Sequence, residues 1–472
     1  MKKLGEKYNL VKVAGIMVLI TVLLTWVIPQ GMYQGAGVEV TEITRVGIFD
    51  FFTYGLLGLY YFTVLVTFIF VLGAFYQVLS RTKGYQALTT NIAKTFKGKE
   101  ILFVLVASFL IAAVTAITNE YILVLTVVPF IITVMSKMKM DKLTGFTTTF
   151  GAILVGILAP VYSAKTVGMN VRYLSTAYGN LIWPKLILFA IAFAAFSTLT
   201  ILHMRKVREE RKAEVIEDLF ETEETNENSR SKAWAIALVF CFAVVIILLA
   251  YLPWGSAWNT TWPTKALDAI NKCEIFGSTV FAYILGNVQS FGSWDIFGAQ
   301  VVLLVAILVI KWIDKMKMEE IYEAFGEGFK KVGKVVIILL LCYLVLEFAV
   351  MYPVIPTILD WFMGLFKNAS EKVVVLMSSF AGLFSSMFTV EYQYTVNLVG
   401  EFLTSGHDKL VEQIGFMLTS TYGLASLFSP ASAILLMGLS YLGITYKEWM
   451  KYIWKYLVFI FLVIIVMLLI IC

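Results

Sequence analysis

An all-α polytopic membrane protein built as an inverted-topology repeat is the fold class that three observations predict. Of the 472 residues, 60% are hydrophobic and 15% charged, and the mean hydropathy of +0.84 lies outside the range of soluble globular chains. Apolar runs long enough to cross a ~30 Å hydrocarbon core recur along the chain. Two matching acid-bearing tetrapeptides, Thr118-Asn119-Glu120-Tyr121 and Thr389-Val390-Glu391-Tyr392, sit 271 residues apart, each in the middle of a largely apolar stretch. The echo continues in Gly145-Phe146, Thr149 and Pro160, which recur 270 residues later as Gly415-Phe416, Thr419 and Pro430.

This composition leaves no room for a large soluble domain. Cys241, Cys273, Cys342 and Cys472 show no paired spacing, so neither a disulfide framework nor a zinc site is expected. His203 and His407 are too few for a metal cluster and lie near expected span ends. The net charge of +5 does not imply nucleic acid, because Lys and Arg on short loops of a membrane protein mark its cytoplasmic side.

Lys2 and Lys3 precede the first apolar run, 11–29, which ends in Trp26-Val27-Ile28-Pro29 instead of a small-residue cleavage site. It is expected to be a retained first span with the N-terminus in the cytoplasm. Span 56–79 returns to Arg81, Lys83, Lys94, Lys97 and Lys99. Residues 101–137 are apolar again but divided at Thr118-Asn119-Glu120, and lysines flank both ends, so the segment is two full spans or a re-entrant hairpin. A polar tip is better placed against a water-filled cavity, where non-helical backbone is tolerated. The run 143–166 holds Gly151, Gly156 and Pro160 ahead of Tyr162, Ser163 and Lys165, and reads as a broken helix. Segment 181–203 closes the first repeat, 1–204, and an acidic, Asn-rich stretch within 205–232 reads as an exposed, flexible cytoplasmic linker.

The second repeat, 233–472, has spans 233–252, 298–313, 335–352 and 449–471, an external loop at 256–296 and an interfacial piece at 353–370. Its hairpin is 371–405, and its broken helix, 410–436, is interrupted near Ser429-Pro430-Ala431-Ser432. The total is about nine full spans plus two hairpins, with the C-terminus external. Five spans lie between the hairpins, and an odd number puts them on opposite membrane faces. Discontinuous helices from the two halves then meet near the midplane around one substrate site.

An ionised group inside such a core costs at least a few kcal/mol and is a functional candidate by default. Glu120 and Glu391 are therefore the sharpest candidates, as receivers of a substrate ammonium or guanidinium, or of a coupling cation or proton; the competing reading is a structural carboxylate paired with a hidden Lys or Arg. Thr118, Asn119, Thr389, Gln393 and Asn397 are candidates to complete the tips by hydrogen bonding, and Ser163, Ser429 and Ser432 to line the helix breaks. Lys165 and Arg172 follow the first break, whereas the matching positions of the second half are Leu435 and Leu442. A fixed ammonium at such a break can stand where a coupling sodium would bind, or pair with a substrate carboxylate; snorkelling to the interface is the bland alternative. Glu347 lies inside span 335–352 and either titrates or pairs with a lysine. Trp254, Trp258, Trp262, Trp361 and Trp449 read as an aromatic belt, and Thr147-Thr148-Thr149 and Thr419-Ser420-Thr421 read as hydrogen-bonding within their own helices.

These residues resemble the YfcC-like branch of the anaerobic C4-dicarboxylate carrier family, within the ion-transporter superfamily. The resemblance rests on Thr25-Trp26-Val27-Ile28-Pro29-x-Gly31, the Gly47-Ile48-Phe49-Asp50 approach to the second span, the hairpin acid Glu120 and the Ser429-Pro430 break, and it covers nearly the whole chain. It implies scaffold and transport domains in an inverted repeat, a homodimer, and secondary transport of small carboxylates or amino acids. Superfamily tips commonly carry Ser-Asn-Thr-like residues that hold sodium and a substrate carboxylate; here they carry Thr118-Asn119-Glu120 and Thr389-Val390-Glu391. Basic amino acid exchange of the arginine/ornithine type is associated with this branch and fits those acids. Ion-coupled dicarboxylate transport is the runner-up, and no cofactor is expected beyond a coupling Na+ or H+. The expected setting is the cell membrane, with a small solute and the lipid bilayer as partners. A channel would present rings of charge from identical subunits, and a membrane-embedded enzyme would need a nucleophile–base or metal constellation that the sequence does not offer.

Overall fold

The computed structural model describes residues 9–34, 37–163, 165–210, 214–221, 231–252, 254–255, 258–275, 277–286, 288–366, 369–405 and 407–472. Lys2, Lys3 and the acidic stretch of the linker lie outside them. The chain is a helical, multi-pass membrane protein. Among the described residues eight helices are long and apolar enough to cross a bilayer.

In chain order the helices of the first half are α1 (Asn9–Val27), α2 (Ile48–Tyr61), α3 (Thr63–Ser80), α4 (Lys83–Thr95), α5 (Glu100–Thr118), α6 (Tyr121–Leu125), α7 (Val128–Lys137), α8 (Lys142–Leu158), α9 (Val167–Leu174) and α10 (Ile182–Glu210). Those of the second half are α11 (Ala233–Tyr251), α12 (Trp262–Asn271), α13 (Val280–Leu285), α14 (Ile296–Asp314), α15 (Met318–Met351), α16 (Ile355–Gly364), α17 (Glu371–Ser386), α18 (Tyr392–Thr404), α19 (Val411–Ser426), α20 (Ala433–Leu442) and α21 (Tyr446–Ile471). A small antiparallel hairpin, β1 (Gly31–Gln34) with β2 (Gly37–Val40), follows α1. It is held by the Gly31 N–H donating to Pro353 O at 2.9 Å, a contact across the chain that its local sequence does not signal.

Two helical layers emerge from the packing. In one, α3 lies along α15 and α14, with α1, α2 and α11 around them. The α3–α15 contact depends on Gly73 and Gly328: a Cβ at Gly328 would meet Gly73 O at 2.6 Å, so only glycine lets the two backbones come this close. In the other layer, α5 packs on α8, and α17 and α18 pack on α19, with α10 and α21 alongside. The layers touch where α15 meets α20 and where α4 meets α7.

The helices of 143–166 and 410–436 are both interrupted. The first stops at Leu158 and the second at Ser426, and each resumes, as α9 and α20, after an unwound segment. The hairpin arm α5, in contrast, is a full-length apolar helix. Thr147–Gly151 within α8 is π-helical, and Thr148 and Thr149 donate to the Thr144 and Gly145 carbonyls at 2.7 and 2.8 Å. Thr419, Ser420 and Thr421 likewise bond back to carbonyls of their own helix, as expected.

Two expectations are corrected. Trp449 is not part of an interfacial belt: it is fully buried, and its Nε1–H donates to Leu427 O at 2.8 Å. The linker is not wholly exposed. Ile216 N–H donates to Met140 O at 2.9 Å, and Ile216 and Phe220 are 3% and 2% exposed, so residues 214–221 dock on the fold. Two apolar side chains in a short charged segment supply the reason, since burying each gains roughly 1.5–3 kcal/mol.

Candidate functional site

Each hairpin is interrupted in a way that its residues explain. In the first, α5 ends at Thr118, and Asn119 takes a left-handed conformation at φ 50°, which Asn tolerates better than most side chains. The second opens over Met387–Glu391, and Glu391 is the residue that precedes the first turn of α18. Both breaks leave carbonyls at the end of the first arm with no partner inside the helix. A serine from the neighbouring broken helix satisfies one in each case. Ser163 Oγ donates to Thr118 O at 3.0 Å, and Ser429 Oγ donates to Met387 O at 2.8 Å. The same two oxygens accept from the backbone of their own loops, Ser163 Oγ from Lys165 and Thr166 N–H and Ser429 Oγ from Ala431 N–H. Each serine thus ties a hairpin tip to a helix break.

The tips share one polar cluster. Lys165 Nζ lies 2.7 Å from Glu120 Oε2, with the Glu120 side chain 11% exposed and that of Lys165 39%. Lys165 Nζ also stands 5.8 Å from the centroid of the Tyr121 ring, within cation–π reach. Tyr121 OH is 3.5 Å from Tyr343 OH on α15, and Tyr343 OH donates to Glu391 Oε1 at 2.7 Å. A chain of contacts therefore runs from Lys165 through both tyrosines to Glu391. Tyr343 lies near the middle of the apolar part of α15.

Among the described residues Glu391 has no basic side chain within ion-pair distance, whereas Glu120 has Lys165. The reading of the acids as structural partners of a lysine therefore describes Glu120 and not Glu391. Of the other expected residues, Thr118 is buried, donates to Val114 O at 2.8 Å and accepts from Glu120 N–H at 3.1 Å. Asn119 is 5% exposed, and its side-chain oxygen has no hydrogen-bond partner among the described residues. Thr389 is buried and shares a short hydrogen bond with Thr395. Gln393 is half-buried on α18. Ser432 caps α20 by accepting from Leu435 N–H.

Asn397 is not brought to the cluster; it is exposed on α18. It stands six residues after Glu391, about 240° further round the helix, while Thr395, four residues on, returns to the buried face. Arg172 is also at the surface, stacked over Tyr173 at 5.6 Å. Glu347, 6% exposed, has no lysine partner among the described residues.

Sequence reasoning missed Tyr121, Tyr343, Tyr392, Tyr422 and Asn170. Tyr422 OH donates to Val390 O at 2.8 Å. Tyr392 OH donates to Asn170 Oδ1, and Asn170 Nδ2 donates to Gly415 O at 3.0 Å, so α9 is locked to the second hairpin and its broken helix. A signal was present: in both tetrapeptides the acid is followed by a tyrosine. Tyr343, one turn before Glu347, carried no comparable mark.

The family model for C4-dicarboxylate anaerobic carriers matches residues 9–472. The chain belongs to that family. No curated protein matches it. Among solved structures it is similar to the YdaH transporter of Alcanivorax borkumensis, whose topology is described as unusual, at 10% identity over 98% of this chain and 97% of that one, with a TM-score of 0.40. The C4-dicarboxylate anaerobic carrier family is one of membrane transporters, so the chain is a membrane carrier with a small-molecule substrate and the bilayer as its surroundings.

Proposed function

We propose that this carrier works by alternating access around the two hairpin tips and moves a small amino-acid-like solute, with basic amino acid exchange of the arginine/ornithine type favoured. One observation carries this reading: two carboxylates and a single ammonium share one partly enclosed cluster, and among the described residues only Glu120 is paired with that ammonium. A solute bringing a guanidinium or second ammonium to Glu391 compensates the remaining charge, while its carboxylate is received by Lys165 and the ends of the broken helices. A dicarboxylate would instead place four acidic groups around one lysine, which a low-dielectric site disfavours unless protons or cations enter with it.

A fixed ammonium beside a helix break, as Lys165 is, can substitute for a coupling sodium, and this supports exchange over sodium symport. The two interrupted hairpins and two broken helices support this reading, because inverted-repeat carriers use such discontinuous elements at the midplane. Placement in the YfcC-like branch, a cell-membrane location, a cytoplasmic N-terminus, an external C-terminus and a homodimer belong to the same proposal.

The test is counterflow in proteoliposomes loaded with arginine, ornithine, a neutral amino acid or succinate. Arginine uptake driven by internal ornithine is the expected result. Succinate counterflow with no arginine counterflow would move the assignment to the runner-up, ion-coupled C4-dicarboxylate transport. A steady single-channel current without a requirement for substrate on the far side would overturn the carrier mechanism itself.

A further inference from the structure

On the lysine-rich face, away from the hairpin tips, a cavity of about 420 Å³ lies between the first residues of α5, the turn after α7, the last turns of α10 and the docked linker. Lys139, Arg205 and Arg208 line it together with Glu100 and Asp141. Both acids are already occupied. Glu100 Oε1 accepts from Gly98 N–H at 2.7 Å. Asp141 is 8% exposed and accepts from Thr144 N–H and Thr144 Oγ1 at 3.0 and 2.5 Å, and His203 Nε2 lies 2.9 Å from its Oδ2. Burial pushes the Asp141 carboxyl up, but the hydrogen bonds from His203 and Thr144 outweigh it and hold it below its usual range. Lys139, Arg205 and Arg208 are exposed, and among the described residues no carboxylate lies within 4.0 Å of any of them.

The apolar side of the cavity decides what kind of anion it fits. Met138, Met204 and Val207 form part of its wall. On the bilayer side of the rim, Leu102 and Val106 of α5 and Leu202 of α10 are 51%, 46% and 56% exposed. α5 and α10 run side by side there, with Phe109 and Phe193 in contact at 5.5 Å between ring centroids. Three cations with no carboxylate within 4.0 Å among the described residues thus sit where a lipid-facing apolar groove begins.

We infer that this cavity is a binding site for the phosphate headgroup of an anionic phospholipid, whose acyl chains lie along α5 and α10. Arginine forks suit a phosphodiester geometrically, a pocket of this size takes a headgroup, and basic pockets at this level of a membrane protein are where acidic headgroups dock. A free phosphate would use the same cations but leave the apolar groove empty. The inference is independent of the transported solute.

The test is native mass spectrometry of the full chain released from detergent, titrated with phosphatidylglycerol or phosphatidylcholine of equal chain length. Wild type is expected to retain phosphatidylglycerol preferentially, and R205Q/R208Q to bind it on the order of tenfold more weakly, given the attraction each basic residue contributes. K139Q alone gives a smaller loss and serves if the double variant does not fold. K311Q, at a basic residue away from the cavity, is expected to bind as wild type does. Equal binding by R205Q/R208Q, an equal loss in K311Q, or full displacement of the lipid by millimolar glycerol 3-phosphate would each overturn the assignment, the last by revealing a soluble-anion site.

Discussion

The two hairpin tips carry nearly the same four residues, yet the side chains that meet them differ. At the first, Glu120 is neutralised by Lys165 from the adjoining helix break, 2.7 Å away. At the second, Ala431 stands to Ser429 as Lys165 does to Ser163, Leu435, the match by sequence spacing, lies within α20, and among the described residues the Glu391 carboxylate receives the hydroxyl of Tyr343, from the other helical layer. One tip is paired from the adjoining helix break of its own layer; the other is completed by a hydroxyl from the other layer. An internally paired carboxylate is poised to hold structure, and an unpaired one to receive a cation. The shared feature lies beneath the charges, in Ser163 and Ser429, which fasten each tip to its break in the same way.

The comparison is sharpened most by removing the open acid. Glu391→Gln keeps an acceptor for Tyr343 but no charge, and the loss of a charged partner to a bound cation costs about 2–5 kcal/mol. Arginine counterflow should fall at least about 30-fold, with the thermal midpoint in detergent close to wild type. If Glu120→Gln and Glu391→Gln impair arginine affinity equally, the division of labour between the tips is wrong.

Next in size is the closed pair. Breaking a buried ion pair costs about 3–5 kcal/mol, and because the Lys165 side chain is 39% exposed, Lys165→Met should cost less, about 2 kcal/mol. Adding Glu120→Gln should restore much of that stability, since it removes the stranded charge. A double-mutant cycle on unfolding in mixed micelles measures this coupling, and strictly additive effects would mean that the pair contributes little.

A smaller effect is expected from Tyr343→Phe, which deprives Glu391 of its only hydroxyl donor at hydrogen-bond distance among the described residues. The loss, about 1.5 kcal/mol, corresponds to roughly tenfold in apparent affinity, read from the concentration dependence of arginine counterflow. Smallest are the serine fasteners. Ser163→Ala and Ser429→Ala each leave a buried helix-end carbonyl without its side-chain donor, at about 1 kcal/mol apiece. Near-equal losses support a common role in the two halves; a loss confined to Ser163→Ala would tie that role to Lys165 instead.

Much of this was legible in the sequence because the bilayer makes some features costly. A carboxylate, an asparagine or a proline within an apolar stretch needs compensation, so Glu120, Glu391, Ser163, Lys165 and the Ser429-Pro430 break stand out without any coordinates. Residues within a single helix were placed less well. Asn397 has the right chemistry but the wrong phase on α18, and Trp449 has the right composition for an interface but packs in the core. Composition identifies a residue type, and the angle around a helix decides where it points.

By itself, the sequence determined that this is a multi-pass helical membrane protein with two acid-bearing interruptions, one of them accompanied by a lysine. Both conclusions follow from local transfer costs that act on every residue in an apolar run. Only the tertiary structure decided that Glu120 and Glu391 share one cluster, that Tyr343 completes the second tip, and that the linker docks through Ile216 and Phe220. Those contacts join residues up to 222 positions apart, as Tyr121 and Tyr343 do. No local pattern encodes such a pairing, because it is set by how whole helices pack against one another.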